Sequence, residues 1–462
     1  MAGKDLDFKA KSCWDILTGK KHLKAMEALS AQYMTFLSAC KTEREVIDFV
    51  RNKALSAGYR EDFSFPKVFR VLGEKTIFLA RKGKAPLNSG FRLIGAHADS
   101  PRLDFKQRPL YEECAVGLAK THYYGGIRKY HWLARPLALH GVVVKKSGES
   151  VPVRIGEDPN DPVFTVLDLL PHLASKQMEK KLSTVFEGEK LNVVLGHAPA
   201  ENDKKDNNDK NNKDAVKKKV LEMLNKRYQI VEEDLFSAEI QAVPAGAARE
   251  VGLDRSLVGG YGQDDRICVH AALSALLSEP APAHTQVLVF WDKEEIGSDG
   301  ATGAKSLFFE YCLKDLIHAW SPKTRLNHVF MNSKALSADV HAAMDPDYQD
   351  VHEKLNAALL GYGPCFSKFT GHRGKAGAND ANAEYVAWLR NLLDTAGIPW
   401  QMAELGKVDM GGGGTVAKFL AIYGMDVIDF GPAILSMHSP FEISSKMDLY
   451  AGMLAYKAFL GS

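Results

Sequence analysis

The sequence predicts a three-layer α/β/α domain interrupted by a β-rich insertion, and three observations carry that expectation. Short apolar runs that end in polar residues, such as FRLIGAHADSP (91–101), TQVLVFWD (285–292) and DVIDFGP (426–432), alternate with stretches of helical periodicity. Between residues 104 and 244 that alternation stops and short strand-like pieces follow one another. At 462 residues the chain exceeds the usual single-core size, so two domains or one enlarged domain are expected. The division predicted is 1–104 and 245–462 for the split α/β domain and 105–244 for the insertion.

The elements follow in order. From Ala25 to Tyr59 apolar residues recur at three and four spacing, and Thr42 with Glu45 fits a capping box that opens a second helix. KTIFLARKG and FRLIGAH read as strands. In the insertion, GVVVKKSGESVPVRIG reads as a hairpin. The segment ENDKKDNNDKNNKD (201–214) is almost wholly polar, cannot bury enough apolar surface to offset its ordering entropy, and is predicted to be a disordered loop. Thereafter ICVHAALSALLS is expected as helix, TQVLVFWD as strand, ATGAKSLFFEYCLKDL as helix and HVFMNSKALSAD as strand with its loop. EYVAWLRNLLDTAG, TVAKFLAIYG and KMDLYAGMLAYKAFLG are expected as helices, with strands WQMAEL and DVIDFGP between them.

Composition narrows the function classes. Basic and acidic side chains number 59 and 57, a formal charge of +2 that gives no global electrostatic reason to expect a nucleic acid or a membrane as partner. The first twenty residues are studded with charge and no later window is apolar enough to span a bilayer, so a cytoplasmic location is expected. Six cysteines are scattered without a CxxC pair, which disfavours a disulfide framework and a thiolate zinc site and predicts reduced core residues.

Five polar sites stand at or just past a predicted strand end or helix start. His97 and Asp99 in GAHADSP suit a ligand imidazole whose other nitrogen is held by a carboxylate, although HxD alone also describes a hydrogen-bonded pair. Asp264 and Asp265 follow a glycine-rich turn; one carboxylate can bridge two cations, whereas a helix cap needs only one oxygen. Glu294 and Glu295 follow the apolar run VLVF, and adjacent carboxylates point in different directions, so one can bind metal while the other serves as general base. Asp339 in SADVHAAMDP and His438 in SMHSP each add one ligand suited to zinc, manganese or cobalt. His, Asp, Glu, Asp and His together can hold two cations that share one bridging Asp. The glycine run 411–414 lacks the Gly-Lys-Ser/Thr ending of a phosphate loop and reads as a site for close backbone approach.

These segments, with GHRGKAGANDANAEY, resemble the M18 aminopeptidases over nearly the whole chain, and most closely the bacterial branch labelled M18 family aminopeptidase 1. The resemblance implies a phosphorylase/hydrolase-like zinc peptidase domain with an inserted dimerisation domain. It implies His97 and Asp339 on one of two divalent ions, Glu295 and His438 on the other, and Asp264 bridging them. Zinc is the expected metal, with cobalt and manganese also suited. Glu294 is implied as general base, with Asp99 orienting His97. The choice of Asp264 over Asp265 rests on the habit of related peptidases and stays open. His172, in LLPHLA, matches a segment that in the family reaches a neighbouring subunit's site, within tetrahedral dodecamers built from dimers. Lys368, His372 and Lys375 are candidate substrate contacts, the other reading being a surface turn. The spelling around Lys368 departs from that of the aspartyl aminopeptidases, which leaves the preferred N-terminal residue open.

The expected function is removal of N-terminal amino acids from short peptides. Two rivals are another two-metal amidohydrolase (a dipeptidase, a deacetylase or an M42-type aminopeptidase) and a catalytically silent oligomeric shell. The insertion and the SMHSP segment favour the M18 reading over the first. The paired glutamates argue against the second, since a shell has no use for a base beside a ligand.

Overall fold

A computed structural model describes residues 6–201, 214–278 and 282–462. The disordered loop predicted over 201–214 thus lies, but for its two end residues, outside the described residues. The chain divides into two compact units, one of residues 1–100, 248–437 and 441–462, the other of residues 101–247 and 438–440.

The first unit is built on an eight-stranded mixed sheet. Its strands run in the order Lys67–Leu72, Thr76–Arg81, Thr285–Trp291, Phe91–His97, Lys334–Ser337, Asp426–Gly431, Cys365–Ser367, Gln401–Met402. The four central strands, from Thr285–Trp291 to Asp426–Gly431, pair in parallel, so their carboxyl ends gather at one edge. Alternate residues of these strands enter two separate cores, as period-two side-chain placement requires. Ile94, Ala96, Leu288, Phe290, Leu336, Ile428 and Phe430 pack with the helices Lys20–Ala39, Glu43–Ser56, Gln263–Ser278, Ala383–Thr395 and Lys446–Gly461. Leu93, Val287, Val289, Trp291, Ala335 and Val427 pack with Phe308–Trp320, Leu326–Met331 and Ala417–Ala421.

Burial on both faces explains why these strands read as continuous apolar runs rather than as alternating ones. Gly95 is demanded by packing: a Cβ there would lie 2.4 Å from a ring carbon of Trp291 on the neighbouring strand. The capping box forms as expected, with Thr42 Oγ1 accepting from Glu45 N at 3.3 Å and Glu45 Oε2 accepting from Thr42 N at 3.0 Å.

Several expectations need correction. The helix predicted from Ala301 begins only at Phe308, because 292–305 forms a closed loop. HVFM lies in the helix Leu326–Met331, not in a strand, and the strand is confined to Lys334–Ser337. The TVAKFLAIYG helix shortens to Ala417–Ala421. A five-stranded sheet, Arg249–Val251, Leu257–Gly260, Glu442–Ser445, Ala433–Leu435 and His341–Ala342, was not foreseen, since its strands are too short to show a period. All six cysteines are free, as expected, but Cys114 is exposed at a hairpin turn instead of buried.

The second unit is a seven-stranded sheet in which every pairing is antiparallel, in the order Ser150–Ile155, Leu137–Val144, Ala238–Pro244, Arg102–Glu113, Val116–Tyr124, Val193–Gly196, Thr165–Val166. The first pair is the hairpin read from GVVVKKSGESVPVRIG. The helix Ala215–Tyr228 buries Val216 and Val220 against this sheet. Among the described residues, no helix is long and apolar enough to cross a membrane.

Candidate metal centre

Parallel strands leave unpaired backbone and loop residues at their carboxyl ends, where sites form in α/β sheets. His97 is the last residue of its strand, Asp339 lies two residues past Ser337, and Glu294 and Glu295 open a one-turn 3-10 helix just past Trp291. Asp264 and Asp265 precede the regular part of the helix that runs to Ser278; both have non-helical backbone angles. Gly262, at φ +73°, provides the turn before them, and a Cβ there would lie 1.6 Å from a guanidinium nitrogen of the buried Arg266.

The ligand atoms converge. His97, Asp264 and Glu295 offer one atom each within 4.8 Å of one another, and so do His97, Asp265 and Asp339. His97 Nε2 is 3.1 Å from Asp264 Oδ1 and 3.9 Å from Asp339 Oδ1. Its Nδ1 lies 3.1 Å from the carbonyl oxygen of Asp99 and 3.4 Å from Asp99 Oδ1. The two carboxylate oxygens of Asp99 also accept the backbone N–H groups of Glu294 and Glu295, each at 3.2 Å. One buried carboxylate therefore sets the His97 ring and the start of the glutamate turn together.

Of the two aspartates, Asp264 approaches the imidazole nitrogen, whereas Asp265 Oδ2 accepts from the backbone N–H of His97 at 3.3 Å. Glu442, which no sequence signal marked, accepts from Gln263 N at 2.6 Å and from Asp264 N at 3.3 Å, and so fixes the aspartate turn from below. It lies on the unforeseen small sheet, which is why the sequence reading missed it.

Electrostatics fit a cation site. Burial pushes the carboxyls of Asp265 and Asp339 well above the usual range, and the neighbouring carboxylate of Asp264 pushes both further. Burial alone would lower His97, but hydrogen bonds to Asp264 and Asp99 and the charges of Asp264 and Asp265 raise it well above an ordinary imidazole. Crowded anions held apart from water are stabilised by cations, and nitrogen with carboxylate oxygen is the donor set that zinc takes.

The remaining candidates belong to neither ligand group. His438 belongs to neither ligand group, and its Nδ1 is 2.8 Å from the carbonyl oxygen of Gly126. His172 is exposed on the 3-10 turn Pro171–Leu173. Lys368 and Lys375 both bind Asp380, at 3.2 and 3.0 Å, and His372 pairs in a two-residue ladder with Gly412.

Comparison with known proteins agrees with this geometry. Residues 36–460 match the model of the family described as aminopeptidase I zinc metalloprotease (M18). The chain is 48% identical to a probable M18 family aminopeptidase 1 of Clostridium acetobutylicum, over 99% of each chain. Its structure superposes on the crystal structure of an M18 family aminopeptidase from Thermotoga maritima with a TM-score of 0.92 at 46% identity, covering 98% of this chain and 99% of the other. The S. cerevisiae mApe1 dodecamer shares the fold at 21% identity, with a TM-score of 0.75 over 94% of this chain and 97% of that one. The donor set at the strand ends and a match across nearly the whole length together place this chain in the M18 family of zinc metalloaminopeptidases.

Proposed function

We propose that this aminopeptidase uses two divalent ions, His97 and Asp339 holding one, Glu295 and His438 the other, with Asp264 bridging. The convergence of His97, Asp264, Glu295 and Asp339 donors at one sheet edge is the observation that supports it. His438 enters on the resemblance of its segment to the family pattern alone. When bound, the ions lower the pKa of a water and polarise the first carbonyl of the peptide.

The chain's own residues do the rest. Glu294 removes the proton from the attacking water and returns it to the leaving nitrogen. Asp99 holds the backbone of both glutamates and the Nδ1 side of His97, so base and ligands keep one mutual geometry. His172, offered from another copy, would stabilise the developing oxyanion. Lys368, His372 and Lys375 would contact substrate, the two lysines while paired with Asp380. The assembly read for the chain is a tetrahedral dodecamer of dimers paired through the inserted β-rich unit, working in the cytoplasm on short peptides. The first unit is read as a three-layer phosphorylase/hydrolase-like domain.

The experiment is hydrolysis of a panel of aminoacyl chromogenic substrates (Asp, Glu, Leu, Met, Lys, Arg) by zinc-loaded, chelator-stripped and reconstituted protein, beside Glu294→Gln. Activity should vanish with the metal and return with it, while Glu294→Gln keeps zinc and loses at least about a hundredfold in kcat. Near-normal turnover by Glu294→Gln would remove Glu294 from this role. Cleavage of N-acetylated amino acids but not of free-amine peptides would favour an amidohydrolase.

A further inference from the structure

The loop that carries Glu294 and Glu295 is closed at its neck by contacts the catalytic reading does not use. Asp292, only 1% exposed, binds Lys293 Nζ and Thr302 Oγ1 through Oδ2, both at 2.7 Å. The backbone N–H of Asp292 lies 3.3 Å from the carbonyl oxygen of Thr302 and 3.3 Å from Thr76 Oγ1, and Thr76 Oγ1 in turn donates to Thr302 O at 2.5 Å. Within the loop Ser298 N donates to Lys293 O at 2.7 Å. Residues 292–302 therefore form a closed ring stapled to the strand Thr76–Arg81.

Lys293 sits at the turning point of that ring. Its backbone is left-handed, at φ +70° and ψ 15°, a conformation that disfavours side chains other than glycine by about 1 kcal/mol or more. The twist separates the strand from the glutamates and aims their consecutive N–H groups at the two oxygens of Asp99. The lysine side chain folds back on the ring, its Cε packing close to Gly300. Its ammonium meets a buried carboxyl that burial and the charges of Glu43 and Asp99 push above the usual carboxylate range, and its hydrogen bond pulls that carboxyl back down.

We propose that Lys293 is a positioning residue for the hydrolytic reaction: its ammonium, by holding the Asp292 carboxylate that closes the 292–302 ring on Thr302, holds the left-handed turn that presents Glu294 and Glu295. This rests on the roles read for those two glutamates. Asp99 fixes the glutamate turn from one side, and Lys293 with Asp292 and Thr302 fixes it from the other. Loss of the ammonium leaves a buried acid without its counter-charge and frees the turn, so both ligand and base lose their placement.

The test uses Lys293→Met, which removes the charge, Lys293→Gly, which removes it while relieving the left-handed backbone, and Lys293→Arg, which restores a cation. Zinc affinity is measured by competition with a chromophoric chelator, kcat and KM on an aminoacyl p-nitroanilide, and folding by the thermal midpoint. The Met and Gly variants should bind zinc about 10–100-fold more weakly, the range for outer residues that orient metal ligands. Their kcat should fall about tenfold with KM little changed, and Arg should recover most of the loss. Wild-type zinc affinity and kcat in folded Lys293→Met and Lys293→Gly would overturn the proposal. So would a fully active Lys293→Gly beside an impaired Lys293→Met, because backbone freedom would then account for the effect. If Glu294→Gln remains active the base assignment fails separately, and the zinc affinities still decide whether Lys293 governs Glu295.

Discussion

Asp99→Asn is the substitution on which the geometry of the centre can be tried most directly. The side chain is fully buried and its two oxygens each accept one backbone N–H, from Glu294 and from Glu295, at 3.2 Å. Asparagine has the same shape but presents one oxygen and one NH2 group, so whichever way the amide turns, a donor faces a donor. One hydrogen bond to a charged acceptor is lost, worth about 1.5–3 kcal/mol, and a buried N–H is left without its acceptor. Were that energy expressed wholly in the population of the correct turn, about 1.4 kcal/mol per factor of ten gives roughly a 10–100-fold deficit. The same range is typical when outer residues of a metal site are altered. The expected result is zinc affinity and kcat both lowered by about that factor, with KM nearly unchanged. The assay pairs chelator competition with steady-state kinetics on protein shown to be folded by its thermal midpoint. If folded Asp99→Asn binds zinc and turns over within twofold of the wild type, the claim that this carboxylate sets His97 and the glutamate turn together is wrong.

Other expectations concern stability and pH. His270 is buried against the rings of Tyr33 and Phe36, and burial followed by the charge of Lys53 lowers its pKa to about 3. The unfolded chain then binds the extra proton below about 6.5, so this group's contribution is intact above that pH and is lost as pH falls toward 3, reaching about 2 kcal/mol by pH 5. Urea midpoints of wild type and His270→Leu between pH 7 and 5 should diverge in slope, and parallel slopes would count against it. Glu45 Oε2 accepts from both Lys41 N and Thr42 N, so Glu45→Ala should cost about 1–2 kcal/mol, read as a lowered thermal midpoint. Phe290→Ala opens the core beneath the central strands and should cost about 3–5 kcal/mol in chemical denaturation. Neither change touches a candidate ligand, so zinc affinity per folded molecule should hold, and a loss there would mean the sheet edge is softer than its packing indicates.

The strands that frame the centre were legible because burial on both faces writes itself into sequence as unbroken apolar runs, and the polar residues that end those runs marked His97, Glu294, Glu295 and Asp339. The capping box at Thr42 was legible for a similar reason, since its two partners lie three residues apart and need no tertiary context. What the chain's own order could not convey was which distant groups meet. Asp264 and Asp265 look alike in sequence, and only the fold sets one beside the imidazole and the other beside a backbone N–H. Glu442 reaches the aspartate turn from a sheet whose strands are too short to carry a period. The ion pairs of Lys368 and Lys375 with Asp380 are likewise set by the fold. Beside its contact with His97, Asp99 accepts from the N–H groups of residues almost two hundred positions away. Local periodicity and strand-end polarity are properties of neighbours along the chain. The assignment of each donor to its acceptor is decided by packing, which brings together residues that no spacing rule relates.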